Sequence, residues 1–133
     1  MKEFEVDGKK YVVKVIGGEA VEEDRDGKKL LRIKITAEVD GVVREYVIPF
    51  GRYAKNAVEG RAYARADAPG GREADAERLA AVIEALTGVK PLIYRVKNGR
   101  IVIVCGREHL EGFMRYKELA DAIMRWLEET SRR

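Results

Sequence analysis

Alternating apolar and polar positions dominate the first half of the chain. In residues 31–39 every second side chain is apolar, and those between are charged or polar. This period of two is typical of a β-strand with one buried face. Asp7-Gly8 and Asp40-Gly41 suit tight hairpin turns, which need positive φ. We therefore predict two hairpins, residues 3–6 with 11–16 and residues 31–39 with 42–50.

An acidic segment separates these hairpins. Residues 17–29 contain five carboxylates and three glycines. A run of like charges is most simply a solvated segment, so we predict a loop, with a partner-binding role as the alternative. Residues 51–60 are predicted to form a loop or a short helix.

The second half reads as strand, helix, hairpin and helix. Residues 61–66 alternate again, and apolar side chains at helical spacing predict a helix over about 72–87. Asn98-Gly99 is a strong hairpin signal between two apolar segments. The last helix, about 108–129, loses its period near 112–115, which predicts a kink or two helices.

The order ββ-ββ-β-α-ββ-α predicts the α+β class, an antiparallel sheet built of hairpins with two main helices packed on one face. We expect one domain over residues 1–133, with a hairpin-rich half (1–60) and a β-α-ββ-α half (61–133).

Composition adds an origin and excludes several classes of site. Charged residues make up 37% of 133 residues, there is no Gln, and only two Asn occur. This balance is typical of hyperthermophiles, although an idealised designed surface looks similar. One Cys and one His, Cys105 and His109, allow no internal disulfide and show no metal-ligand spacing. We expect no cofactor.

No targeting or membrane signal is visible. The first residues lack the apolar stretch of a signal peptide, and no apolar run approaches the roughly 20 residues of a membrane span. We expect a cytoplasmic protein without a membrane partner.

The first candidate surface is basic and aromatic. On a strand over 61–66, the basic and tyrosine side chains share one face and three alanines share the other. Guanidinium groups neutralise phosphates, and tyrosine rings stack on bases. A solvated edge strand is the alternative. The candidate nucleic-acid ligands here are Arg52, Tyr53, Lys55, Arg61, Tyr63 and Arg65.

The second candidate surface is the predicted 92–105 hairpin. No acidic residue occurs from 85 to 107, and Arg95, Lys97 and Arg100 cluster at the tip. A two-stranded ribbon can enter a DNA major groove with its basic tip on phosphates. The alternative is that Lys and Arg protect an edge hairpin from aggregation.

Catalytic and assembly signals are weaker. No carboxylate lies in an apolar setting that would tune an acid or base, so we predict no catalytic residue, and Asp67 is the one candidate to test. Several aromatic and Met side chains of the last helix exceed one core face, which suggests a homodimer seam. They are Phe113, Met114, Tyr116, Met124 and Trp126.

Three segments resemble a known family. The runs RAYARADAPGGREADAERLAA (61–81), KNGRI (97–101) and GREHLEGF (106–113) resemble the PaRep paralogous-repeat proteins of hyperthermophilic crenarchaea. That family is largely uncharacterised, so the resemblance implies an archaeal, cytoplasmic origin and no activity.

Residues 79–88, LAAVIEALTG, resemble a degenerate LAGLIDADG helix of homing endonucleases. The resemblance implies a DNA-reading hairpin after the helix. Leu86 stands where that family has a metal-binding acid, Thr87 intervenes before Gly88, and Ala81 replaces the glycine of the helix seam. These departures put a nuclease site in doubt.

These observations together predict a non-catalytic domain that binds nucleic acid, DNA with single strands slightly favoured. The Tyr and Arg face suits single strands, and the hairpin suits a duplex. The alternatives are a protein-interaction or homodimerisation module and a degenerate homing-endonuclease-like nuclease, for which Asp67 and Glu84 are the residues to test.

Overall fold

Hairpin turns organise the chain into one antiparallel sheet in the computed structural model, which describes residues 2–53 and 57–131. The order across its seven strands is β1-β2-β3-β4-β5-β7-β6. The strands are β1 Lys2–Val6, β2 Lys9–Arg25, β3 Lys28–Val39, β4 Val42–Arg52, β5 Val58–Tyr63, β6 Leu92–Arg95 and β7 Ile101–Cys105. The helices are α1 Gly71–Thr87, α2 Arg107–Phe113 and α3 Lys117–Thr130. The α+β class is confirmed, and the last helical region is two helices, as its broken period predicts.

Four Xaa-Gly pairs make the tight turns. Asp7-Gly8, Asp26-Gly27, Asp40-Gly41 and Asn98-Gly99 all have positive φ at both residues. Short Asp and Asn side chains tolerate this region, and Gly has no Cβ to clash there. Each pair therefore reverses the chain between two adjacent strands of the sheet.

The prediction of a loop over residues 17–29 is wrong. β2 continues to Arg25 and pairs with β3 as far as the Asp26-Gly27 turn, with a bulge between Val15 and Gly17. The acidic side chains are tolerated because cross-strand cations face them, with Glu19 to Lys34 at 3.8 Å and Glu23 to Arg32 at 3.0 Å.

The prediction of a loop or short helix over 51–60 is also wrong at both ends of that segment. β4 reaches Arg52 and β5 starts at Val58. Phe50 and Gly60 are direct partners. Ring atoms of Phe50 lie only 2.9 Å from the position that a Cβ on Gly60 would take. The absence of a side chain at Gly60 therefore allows β5 to pass over this core ring.

The sheet curls around α1. β1 and β6 are opposite edges, yet Arg95 of β6 lies 3.4 Å from Asp7 in the β1–β2 turn. Arg95 also holds Glu73 of α1 through two bonds, at 2.7 and 2.8 Å. Small side chains such as Ala76 and Ala81 are fully buried, which lets the helix lie close to the strands. The helices occupy this inner face, and the opposite, outer face of the sheet is the solvent side.

One core spans both halves of the chain. Phe50 of β4 and Phe113 of α2 meet edge to face, with ring centroids 6.3 Å apart. Such aromatic pairs stabilise a core beyond the area that they bury.

The C-terminal helix docks on the inner face through Trp126. This side chain is fully buried and donates its indole N–H to the carbonyl of Lys29 at 2.9 Å. Arg52 lies 5.7 Å from the Trp126 ring centre and donates to Thr130 Oγ1 at 2.7 Å. Cation–π contact and hydrogen bonding together fix the end of α3 on β3 and β4.

The side chains that suggested a homodimer seam are mostly used within one chain. Phe113 and Trp126 are core residues, Met114 and Tyr116 are partly buried, and Met124 is exposed. The homodimer stays a prediction, but Trp126 is buried in the core and is not available to a seam.

A buried carboxylate links α1 to the sheet. Asp75 is fully buried and accepts two bonds from Arg44 of β4, at 2.8 and 2.9 Å. The backbone N–H of Arg65, just after β5, donates to the same carboxylate at 2.8 Å. Arg44 itself covers the ring of Tyr46 at 4.5 Å. One side chain therefore sets the position of α1, β4 and the chain that leaves β5.

Removing this carboxylate should be costly. We expect Asp75→Ala to lower the free energy of unfolding by about 3–5 kcal/mol, because the Arg44 guanidinium and the Arg65 N–H lose their buried partner. Guanidinium chloride titration measures this. Arg107→Ala, which breaks an exposed ion pair with Glu111, is the control and should cost less than about 1 kcal/mol. A similar small cost for both variants would contradict the role of Asp75.

Two carboxylates meet where α3 ends on the sheet. Lys29 Nζ lies 3.7 Å from Glu22 and 3.3 Å from Glu129, with Arg125 also nearby. Burial and the neighbouring Glu129 raise the pKa of Glu22 above its usual 4.5. The hydrogen bond with Glu22, and then Lys29, lowers the pKa of Glu129.

The raised pKa of Glu22 predicts a pH dependence. Just above pH 4.5 the folded state binds more protons than the unfolded state. The contribution of Glu22 to the free energy of unfolding therefore falls as the pH rises through that window. The contribution of Glu129 is lost only as the pH falls below 4.5. We expect Glu22→Gln to stabilise the protein at neutral pH and to remove the fall in the free energy of unfolding above pH 4.5. Denaturant titrations from pH 4 to 8 measure this free energy. Parallel curves for the two proteins would contradict this.

Candidate nucleic-acid interface

Two exposed tyrosines lie on the outer face at one end of the sheet. Tyr63 of β5 and Tyr94 of β6 both pair directly with Val102 of β7. Directly paired residues project from the same face, so the two tyrosines flank Val102, two strand spacings or about 10 Å apart. Their exposed fractions are 53% and 50%. Tyrosine rings this exposed present faces on which another planar group can stack.

The next row along these strands completes a groove. Arg61 of β5 and Leu92 of β6 both pair with Val104. The groove has a volume of about 540 Å³ and is lined by Glu59, Arg61, Leu92, Tyr94, Arg95, Val96, Val102 and Val104. Its floor is apolar, with Glu59 and Arg61 on the β5 side and Tyr94 and Arg95 on the β6 side.

The β6–β7 tip adds positive charge beside the tyrosines. Lys97 and Arg100 flank the Asn98-Gly99 turn, which the Val96 N–H to Arg100 carbonyl bond of 2.9 Å closes. The Arg100 guanidinium lies 5.8 Å from the ring centre of Tyr63. Over residues 2–53 and 57–131, neither Lys97 nor Arg100 has an acidic partner within ion-pair distance. Both cations are therefore available to a bound anion.

The structure brings together four of the nine residues predicted from the sequence: Arg61, Tyr63, Lys97 and Arg100. Tyr53 is also exposed, and Lys28 lies 5.7 Å from its ring centre. Tyr53 lines a separate basic cavity of about 390 Å³ with Lys28 and Lys29. Lys55 lies outside the described residues.

Three predicted ligands are bound by other groups of their own chain, although Arg95 also lines the groove. Arg52 binds the end of α3, and Arg95 ties β6 to α1 and to the β1–β2 turn. β5 ends at Tyr63, so Arg65 is not on the strand face predicted for it. Arg65 pairs with Asp67 at 2.9 Å. We leave these three out of the candidate interface.

Sequence analysis missed Tyr94, Leu92 and Glu59. The charge pattern of the hairpin does not reveal Tyr94 and Leu92, although the alternation in Leu92-Ile93-Tyr94 places both on one face. Glu59 lay in the segment predicted as a loop, so its position two residues before Arg61 on one strand was not apparent.

His109 and Asp67, two side chains of types that perform catalysis, are bound by neighbouring groups of the chain. His109 Nδ1 accepts from the Gly106 N–H at 2.9 Å, so its Nε2 carries the proton and donates to the Lys90 carbonyl at 3.1 Å. Asp67 is exposed, and Arg65 lowers its pKa by hydrogen bonding and charge. In the described ranges no cluster of three His, Cys, Asp or Glu side chains could hold a metal ion.

No protein family, curated protein or solved structure matches this chain. The PaRep and LAGLIDADG resemblances, with the archaeal origin that the first implies, therefore stay predictions. Within the described residues no helix is long and apolar enough to span a membrane.

The burial of Cys105 predicts an inert thiol. Cys105 is fully buried, and burial raises its pKa to about 12. Because the thiolate is the reactive form, we expect a thiol reagent to leave the native protein unlabelled at pH 8 and to label it fully in guanidinium chloride. Rapid stoichiometric labelling of the native protein would contradict this assignment.

Proposed function

We propose that this chain is a non-catalytic domain that binds single-stranded nucleic acid on the outer face of β5, β7 and β6. The observation that carries the proposal is the row Tyr63–Val102–Tyr94, two exposed rings held in register across three strands. Base stacking on such rings needs no particular sequence, because every base has a π-face.

The adjacent charges suit a phosphate backbone. Lys97 and Arg100 lie beside the row, at the β6–β7 tip. Arg72 Nη1 lies 3.4 Å from the position that a Cβ on Gly99 would take. A strand whose bases rest on the tyrosines would bring its phosphates to these side chains. Cations that bind phosphate release condensed counterions, which makes such binding dependent on salt.

A single strand fits this surface better than a duplex. The exposed tyrosines offer stacking faces, and bases inside a duplex already stack on each other. A duplex would use only the basic tip. Comparing single and double strands of one sequence therefore separates the two modes of contact.

Truncating the tyrosines tests the proposal. We expect Tyr63→Ala and Tyr94→Ala each to weaken binding of a fluorescent single-stranded oligonucleotide by about 5- to 150-fold, the loss of one stacked base. Fluorescence anisotropy at about 50 mM salt, where phosphate contacts are strong, measures the affinity. Met124→Ala, an exposed position on α3, is the control and should bind as the parent does.

The basic tip has its own signature. Log affinity falls with log salt, and Lys97→Ala and Arg100→Ala should each make this slope less steep by about 0.7. That change corresponds to one phosphate contact on a single strand. Lys117→Ala, an exposed lysine at the start of α3, should not change the slope. No binding at low salt, or unchanged binding by both tyrosine variants, would overturn the proposal.

A further inference from the structure

We infer that the groove beside Tyr94 selects a guanine base, read by Glu59 and Arg61. The inference rests on the proposed function and adds to it a base preference, which stacking and phosphate contacts do not supply.

A carboxylate in this groove needs an explanation. Glu59 is the acidic residue of a lining that also contains the cations Arg61 and Arg95. A carboxylate repels phosphate. It is half-buried on β5, two residues before Arg61 on the same outer face. Glu59 does not help to attract a phosphate backbone, whereas a surface that reads bases can use its carboxylate as a hydrogen-bond acceptor.

The Glu59–Arg61 pair leaves polar atoms for a ligand. The contact joins Arg61 Nε to Glu59 Oε2 at 3.2 Å. In the part of the chain that the structure describes, Glu59 Oε1 and the two Arg61 Nη groups have no hydrogen-bond partner. The rim of the groove therefore presents an acceptor and a two-pronged donor side by side.

Guanine is the base that matches this order of acceptor and donors. Its edge carries two adjacent N–H donors, N1 and N2, followed by the acceptors O6 and N7. Glu59 can accept from the two donors with Oε1 and with the second lone pair of Oε2, and the Arg61 Nη groups can donate in a fork to O6 and N7. The other bases place an acceptor next to their donor, which would face the carboxylate with a lone pair.

The rest of the groove suits a flat base. Leu92, Val102 and Val104 form an apolar floor, and the half-exposed Tyr94 stands at the β6 side. The volume of about 540 Å³ lies within the range of small-ligand sites. The base would lie across the floor with its polar edge toward β5.

Oligonucleotides that differ at one base test the inference. A short thymidine strand is compared with strands in which one central thymidine is replaced by guanine, adenine or cytosine. We expect the guanine strand to bind about tenfold more tightly than the other three, the effect of one well-formed bidentate contact.

Glu59→Gln should remove this preference without weakening the thymidine strand, because a carboxamide offers only one acceptor. Glu111→Gln is the matched control, since Glu111 is also half of an exposed Glu–Arg pair but lies on α2. Circular dichroism confirms that both variants fold. Equal affinity for all four strands, or a guanine preference that survives in Glu59→Gln, would overturn this inference and leave the proposed function standing. Absence of binding to every strand would overturn both.

Discussion

The buried carboxylate of Asp75 is the constraint on which the rest of the structure depends. It accepts from the Arg44 guanidinium and from the Arg65 N–H, so one fully buried charge is compensated from two elements. Such a group is tolerated only where its partners are well placed, and it is strongly unfavourable where one is missing. The helix is therefore held in one orientation inside the curl, whereas its small apolar side chains alone would allow sliding.

This placement divides the sheet between structure and function. Because α1, α2 and α3 fill the inner face, its side chains are committed to the core. Arg95 joins the β6 edge to Glu73 of α1 and to the β1–β2 turn, across the inside of the curl. The outer face and the hairpin tip remain accessible, and within the described residues Lys97 and Arg100 of the tip have no acidic partner.

The sequence predicted most elements because its turn signals are local. Asn98-Gly99 and Asp40-Gly41 marked hairpins correctly, and Gly88 ended α1 as predicted, with a φ of 78°. Asp26-Gly27 is the same signal, and its charged surroundings concealed it. β2 was also hard to recognise because its inward positions include Glu22, so the apolar alternation that identifies β3 is absent there.

The candidate site was predictable only where one strand carried it. Arg61 and Tyr63 lie two residues apart, so their common face follows from the period of a strand. The roles of Arg52 and Arg95 do not follow from any local pattern, because their partners Thr130 and Glu73 lie 78 and 22 residues away along the chain. Long-range ion pairs leave no local pattern, and a count of cations therefore overestimates the side chains available to a ligand.

The outer face itself changes character from one side to the other, and this difference is the reason for proposing a ligand at one end. On β2 and β3 the outward carboxylates of Glu19 and Glu23 face Lys34 and Arg32 across the strands, at 3.8 and 3.0 Å. Across β5, β7 and β6 the partners of Arg61 and Tyr63 are Val104 and Val102, which offer no opposite charge. In the first region these carboxylates are therefore already paired with cations of the same sheet. The second combines apolar contact area with hydrogen-bonding groups that still have unused capacity, and that combination favours a flat, polar-edged ligand over bulk water.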